Sequence, residues 1–513
     1  MRRRSTVMIG SCVLVYLISA LVHLNGYPPP DLDEAIFANP ALNLIHLGNF
    51  GSSAMTGVFG MGRATFWFLP LHSLLLTIPV TLFGFHLWSV RLLSVALGLA
   101  TLIVLDRLSL ALGASRTAAA FLVLFLGTDY FFLSVARFGR MEVVLGLLVS
   151  AVLLCLVRAR QNADRNLFLV AGVLAGASLI THPLGVVSIL AFPVLTFPTP
   201  EKREGRRDWR RWSRSALLFG GASCLAVLPY IVFILREGPR ELWQQMVVYA
   251  TYCYERQGFW GGPLAHLRDL FRLIMTTTTW AFFLTKTSLL LWLAWPPRGA
   301  QRLLLLAAIS MATLLFLYPS SYINYWIPIF YLPLVVCAAV GKPSPDPAGV
   351  EPRVLSLEKI GVLVIVIALV ASNVSAHSYR LLQMRRYDPD QRLAELRLLV
   401  EKAAPGRHRI LGSSVFLYAF PNVEFRSLFV VSSAIDLRGL SWRQSLAEVS
   451  PEVVIVDGQL ASGMWPAFDA PPHGLREFLL QHGKFLGAVR SGLTSSPTDA
   501  EVYEIDPAQF EDR

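Results

Sequence analysis

Over its first 376 residues the chain alternates long apolar windows with short polar connectors, and beyond that point its texture changes. The windows fall at about 7–25, 87–105, 117–135, 143–157, 167–181, 184–198, 215–235, 273–295, 303–318, 326–341 and 360–376. A helix needs about 20 apolar residues to cross the hydrocarbon core, so the pattern predicts about eleven transmembrane helices. The segment 26–86 between the first two windows is different. Its stretches Ile36 to Leu47 and Phe66 to Phe83 mix apolar residues with Asn, His, Thr and Pro. They predict amphipathic helices lying along the membrane interface, the second of them broken by Pro70 and Pro79.

From about Ser378 charged residues return and turn-formers such as Pro405-Gly406 and Asp457-Gly458 appear. Strands are expected at Arg409 to Ser413, Phe425 to Val431, Pro451 to Asp457 and Val502 to Ile505, with helices at Asp388 to Ala403 and Leu475 to His482. The expected architecture is an all-α polytopic membrane domain over 1–376, with interfacial helices in its first outer loop, and a small α/β domain over 377–513.

Composition supports the membrane reading. The 513 residues are 54% hydrophobic and only 15% charged, with a mean hydropathy of +0.53, whereas soluble chains carry about 25% charged residues. The net charge of +11 resides in connectors rather than in one patch, which argues against nucleic acid as a partner. The run Glu201 to Arg214 is the densest of these connectors. Short loops rich in Lys and Arg stay cytoplasmic, and eleven crossings with the N-terminus inside put every basic connector on that face. The loop 26–86, the loops 136–142, 236–272 and 319–325, and the tail 377–513 are then extracytoplasmic, in a multi-pass protein of the cytoplasmic (inner) membrane. Met1-Arg-Arg-Arg4 and the apolar run after it read as an uncleaved first span, because no small-residue cleavage site follows. The five cysteines show no disulfide or metal spacing. Neither a phosphate loop nor a dinucleotide fingerprint occurs.

Candidate chemistry concentrates at Pro28-Pro-Pro-Asp-Leu-Asp-Glu34, where Asp31, Asp33 and Glu34 crowd the exit of the first span. Three carboxylates so close repel one another, and burying them needs a cation, a proton or a hydrogen-bonding ligand. Asp31 suits an N-cap for a helix starting near Ala35; Asp33 and Glu34 point to function.

The pair Asp33-Glu34, followed by Ala35-Ile-Phe-Ala-Asn-Pro-Ala-Leu-Asn-Leu-Ile-His-Leu-Gly48, resembles the first-loop motif of the C-type (GT-C) glycosyltransferases, nearest to the protein O-mannosyltransferase and aminoarabinose transferase superfamily. Phe68-Leu-Pro-Leu71, Leu82-Phe-Gly84, Trp88 to Leu93, Ala136-Arg-Phe-Gly-Arg-Met-Glu142, and Tyr322, Tyr325 and Pro328 extend the resemblance over residues 7–341. It implies Asp33 as catalytic base; Glu34 beside it reads as a helper or a possible metal ligand. It also implies a polyprenyl-phosphate-linked sugar as donor and a glycan, lipid or protein acceptor. Leu69 stands where many members have a lysine that contacts the donor phosphate, so that contact falls to Arg63, or to Arg137 and Arg140. Glu142 stands where the family often has Asp.

Inverting transfer needs a carboxylate to take the acceptor proton while cations hold the departing phosphate. Arg137 and Arg140 suit the second task, since guanidinium binds phosphate in a fork; snorkelling at the interface is their alternative. Glu142 either binds a divalent metal ion with Asp33 or Glu34, or pairs with Arg140. His182 lines the cavity or caps a span end, and Tyr322 and Tyr325 are further cavity-lining candidates. Lys286, inside a span, calls for a partner or a cavity. Asn373 of Asn-Val-Ser375 lies too close to a span for ready glycosylation. Two competing readings are a transporter or flippase of lipid-linked sugar, which would carry repeated halves and broken helices, and a non-catalytic membrane scaffold.

Overall fold

The computed structural model describes residues 2–197, 206–249, 251, 277–295, 297, 299–317, 323–340, 357–457, 475–490 and 498–507. A helix lies in each apolar window. The first ten are α1 (Arg2–Leu21), α2 (Leu32–Leu47), α3 (Pro70–Phe83), α4 (Leu87–Ala111), α5 (Arg116–Thr128), α6 (Tyr130–Ala136), α7 (Glu142–Asn162), α8 (Arg165–Leu179), α9 (Val187–Thr196) and α10 (Arg206–Glu237). Among the described residues, five helices are long and apolar enough to cross a membrane, or six if α5 and α6 form one span; others, such as α8, have the composition but only 10–17 residues.

Two expectations about the helices of the first 376 residues change. The window 117–135 is not a straight helix, because Asp129 breaks it: α5 and α6 meet at 68°. The Asp129 side chain accepts hydrogen bonds from the Phe131 and Phe132 amides, each at 2.9 Å, and so starts α6 as a new helix. Pro70 and Pro79 do not break α3 either. Pro70 occupies the first turn, where its missing N–H is no loss, and the helix continues through Pro79.

Close helix contact is built on small residues. A methyl group on Gly172 or Gly176 of α8 would lie 2.3 or 2.5 Å from carbonyl oxygens of Phe219 or Ser223 on α10. This is the spacing that lets membrane helices approach backbone to backbone.

The tail holds five strands in the order β2-β1-β3-β5-β4. They are β1 (Arg409–Gly412), β2 (Glu424–Ser427), β3 (Val453–Asp457), β4 (Lys484–Val489) and β5 (Ala500–Glu504). β1 pairs in parallel with β2 and β3, while β5 runs antiparallel to β3 and β4. The strand expected at Phe425 to Val431 ends at Ser427, whose hydroxyl caps the helix Leu428–Arg438. The helices Pro389–Ala403 and Leu475–His482 form where expected.

The first outer loop also packs against the tail. Ala35, Ala38 and Leu42 of α2 and Leu76 and Val80 of α3 share one apolar core with Leu396, Phe416, Leu417 and Phe425 of the tail. Each buried Leu or Phe contributes roughly 1.5–3 kcal/mol. The small alanine face of α2 thus sits beneath the tail and leaves the N-terminal turn of α2 at the junction of both units.

Candidate active site

The chain leaves α1, runs through Pro28-Pro-Pro30 and enters α2 at Asp31. The Asp31 carboxylate accepts the Asp33 amide at 2.9 Å, and Glu34 Oε2 accepts the Asp31 amide at 3.0 Å. This reciprocal capping box holds the first turn rigid and confirms Asp31 as the cap. It also sends the next two carboxylates in different directions.

Glu34 turns inward. Its oxygens accept from Arg91 Nε at 2.8 Å, Arg91 Nη2 at 2.6 Å and the Gly139 amide at 2.7 Å, besides the Asp31 amide. A carboxylate offers about four acceptor sites, and all are taken. The expectation of Glu34 as catalytic helper or metal ligand is therefore corrected: it ties α2 to α4 and to the 137–141 loop. Arg91 completes the knot by donating to the carbonyls of Leu24, Asn25 and Pro28 at 2.7, 3.0 and 2.7 Å. Arg91 lies in the Trp88 to Leu93 stretch of the resemblance, and a charge inside an apolar window signals a buried partner.

Arg137 is corrected in the same way. It is fully buried and donates to the carbonyls of Ser19, Val22, His23 and Tyr27 at 2.5–3.0 Å. Its charge closes the C-terminal end of α1, where carbonyls lack helical partners and the dipole favours a cation. It is neither snorkelling nor presented to a phosphate.

Gly139 links this scaffold to the reactive groups. Its amide binds Glu34 and its carbonyl accepts from His72 Nε2 at 3.1 Å. A Cβ here would lie 2.3 Å from Val90 Cγ1 and 3.3 Å from Glu34 Oε1, so only glycine fits. The next residue, Arg140, reaches Glu142 at 2.8 Å, Asp33 Oδ2 at 2.5 Å and Asp31 at 3.6 Å, and lies 5.6 Å from the Phe37 ring centroid. Of these groups Asp33 stays the most open, with 40% of its side chain exposed against 8% for Arg140 and 2% for Glu142.

Electrostatics follow from this crowding. Burial raises the Asp33 carboxyl above its ordinary range, and Glu142 and Glu34 add to the effect against the opposing pull of Arg140. Burial and the Asp33 charge push Asp31 up to about 7, again against Arg140. Burial alone would weaken the Arg140 charge, but Glu142, Asp33 and Asp31 hold it firmly protonated. Burial lowers His182 to about 4, leaving a neutral imidazole whose Nδ1 accepts the Leu184 amide at 3.0 Å and whose ring stands 5.0 Å from Tyr325.

The structure therefore gathers Asp33, Arg140 and Glu142, with His182 and Tyr325 near enough to sense their charges. Tyr322 lies outside the described residues. Arg63 is set apart: its side chain is 64% exposed and donates to the Glu237 carbonyl at the end of α10 at 2.6 Å. The alternative of a Glu142–Arg140 pair is the one observed. Both oxygens of Glu142 and one of Asp33 are taken by Arg140, and Glu34 is saturated by Arg91 together with the Gly139 and Asp31 amides. Among the described residues no group of three or more His, Cys, Asp or Glu is arranged to hold a metal ion. These donors do not fit a divalent-ion site, because the guanidinium stands between the carboxylates that would have to converge on it.

Lys286 finds its partners in the membrane region: it donates to Asp129 and to the buried Asn373 side chain, and the Tyr331 hydroxyl donates to Asp129 at 3.0 Å. One cluster thus ties the helices Thr278–Ala294 and Leu357–Met384 to the break between α5 and α6.

Residues 69–233 match the family described as dolichyl-phosphate-mannose-protein mannosyltransferase. A search of curated protein sequences finds no match at a significant level. Among solved structures, the chain is similar to ArnT from Cupriavidus metallidurans bound to undecaprenyl phosphate, with a TM-score of 0.60 at 14% identity over 97% of both chains. The Archaeoglobus fulgidus oligosaccharyltransferase, in complex with Zn and sulfate, aligns with a TM-score of 0.57 at 12% identity, covering 98% of this chain and 73% of that one. The same organism's AglB, in complex with an inhibitory peptide and a dolichol-phosphate, gives 0.56 at 11% identity, covering 100% and 75%. Over nearly its whole length the chain thus has the fold of these C-type membrane glycosyltransferases, and residues 69–233 carry the sequence pattern of the mannosyltransferase family.

Proposed function

We propose that the chain is an inverting glycosyltransferase that moves a sugar from a polyprenyl-phosphate donor to an acceptor at the outer face of the cytoplasmic membrane. The observation that carries this reading is the pairing of Asp33 with Arg140: a half-open carboxylate and a buried guanidinium in contact at the exit of α1. The ArnT and AglB structures were each determined with a polyprenyl or dolichol phosphate bound, which supports a lipid-phosphate donor here.

In this reading Asp33 takes the proton from an acceptor hydroxyl or amine as the acceptor attacks the anomeric carbon. The bond from that carbon to the phosphate oxygen breaks, and the phosphate leaves with the electron pair. Arg140 stabilises the developing charge, and Glu142 fixes the orientation of its guanidinium. Glu34, Arg91, Arg137 and Gly139 hold these groups in register. The raised Asp33 carboxyl favours proton uptake, since a base works best with a pKa near the working pH.

The distribution of basic connectors supports a cytoplasmic N-terminus and an extracytoplasmic tail 377–513. The apolar core that the tail shares with α2 and α3 supports putting the two on one face. The acceptor is a glycan, a lipid or a protein that reaches this outer junction. The deciding experiment is transfer from a polyprenyl-phosphate sugar by the purified protein in nanodiscs. Asp33→Asn should abolish transfer while Asp31→Asn, which keeps the cap, retains it; full activity in Asp33→Asn rules out Asp33 as the base.

A further inference from the structure

Arg140 has two claims on it. As the structure stands, its guanidinium is divided among Asp33, Glu142 and Asp31, and only 8% of its side chain is exposed. A carboxylate held by a guanidinium is a weaker base than a free one. A guanidinium held by carboxylates is likewise a weaker anion site than a free one. The two groups assigned to the reaction therefore hold each other back in the donor-free protein.

We infer that the donor phosphate takes Arg140 over from Asp33, so that donor binding itself switches on the base. The inference rests on the reading of Asp33 as base and Arg140 as phosphate partner, and adds an order of events to it. The geometry favours a change at Asp33 and not at Glu142. Glu142 is 2% exposed and engages Arg140 through both oxygens, whereas Asp33 is 40% exposed and uses a single oxygen. The contact to Asp33 is thus the one that a ligand entering from the open side displaces. A phosphate oxygen replaces a carboxylate oxygen on Nη1, so the charge on Arg140 stays compensated throughout. Asp33, released, has lost the contact that opposes the effect of burial on its carboxyl, and it takes up the acceptor proton more readily. Once protonated after transfer, Asp33 no longer competes. When it loses the proton to solvent it reclaims Arg140 and displaces the lipid phosphate, which resets the site.

Competition of this kind has a consequence that simple participation in catalysis lacks. Removing the Asp33 charge should strengthen phosphate binding while it abolishes transfer. The test measures the affinity of undecaprenyl phosphate for the purified full chain in nanodiscs of neutral phosphatidylcholine, where no anionic headgroup competes. Asp33→Asn should bind about tenfold more tightly than the unaltered protein, and this gain should vanish when Arg140→Gln is added. Asp33→Ser serves the same purpose should the Asn variant not fold. Loss of transfer with unchanged or weaker binding overturns the exchange and leaves Asp33 as the base. Retained transfer in Asp33→Asn overturns the base assignment, and the exchange falls with it.

Discussion

Glu34 and Arg91 form an ion pair 2.6 Å long in which neither side chain has any exposed surface. Because both charges are out of water, removing one strands the other. Breaking such a pair costs about 3–5 kcal/mol. Arg91→Met or Glu34→Leu should therefore lower the melting temperature in detergent sharply and reduce the yield of folded protein. Asp33→Asn, one residue away from Glu34 but half open, should melt close to the unaltered protein. Equal losses for Asp33→Asn and Glu34→Leu would contradict the division between reactive and anchoring carboxylates.

That division marks the limit of what the sequence could tell. The three adjacent acids were visible, and so was the capping role of Asp31, because capping is local and depends on residues three apart. Which of Asp33 and Glu34 faces inward depends on Arg91, 57 positions beyond Glu34 and inside an apolar window. Arg137 and Arg140 looked equivalent for the same reason: their partners, the end of α1 and the Asp33 carboxylate, come from 107–118 positions away. The break at Asp129 was hidden because hydropathy is the same on both sides of a bend. In the tail, local pattern located β1, β3 and β5. It failed at Leu428 to Val431, where β-branched and aromatic residues suggested a strand but the Ser427 cap starts a helix. It also missed β4, whose burial does not alternate along the strand and whose pairing is irregular near Gly487.

The role of Gly139 as a rigid link gives a second prediction. In Gly139→Ala the new methyl collides with Val90 and crowds Glu34. The peptide must shift, and Arg140 with it. A displacement of about 1 Å at a reacting group costs roughly 100-fold in rate, so Gly139→Ala should lose activity on that scale. Adding Val90→Ala removes the nearer clash and should recover much of it. An unchanged rate in the single variant would show that this peptide does not set the position of Arg140.

The membrane-region cluster makes a prediction about stability alone. Lys286 and Asp129 are both buried, with Asn373 and Tyr331 completing their hydrogen bonds. Lys286→Met leaves a buried carboxylate without its cation and should destabilise by about 3–5 kcal/mol. The pair Lys286→Met, Asp129→Asn should regain most of that loss. Asn keeps the side-chain oxygen that caps α6, and no uncompensated charge remains. Thermal unfolding of the three proteins in one detergent decides the matter; a double variant no better than the single would mean that the pair is needed for its charge.

Asp31 offers a test in pH. Burial and the neighbouring Asp33 charge raise its carboxyl from 3.8 to about 7 in the folded protein, so the unfolded chain gives up this proton more readily than the folded one. Stability that depends on Asp31 is then fully present below about pH 4 and is lost as pH rises toward 7. Asn caps a helix as well as Asp does and carries no charge to desolvate. Asp31→Asn should therefore melt at the same temperature as the unaltered protein near pH 4, gain on it progressively up to about pH 7, and keep a constant advantage above that. The attraction of Asp31 to Arg140 at 3.6 Å opposes the gain, and the raised carboxyl means that burial and the adjacent acid outweigh it. A melting difference that stays flat with pH, or a variant less stable at pH 8, would reverse that ranking and make the contact to Arg140 the dominant effect at Asp31.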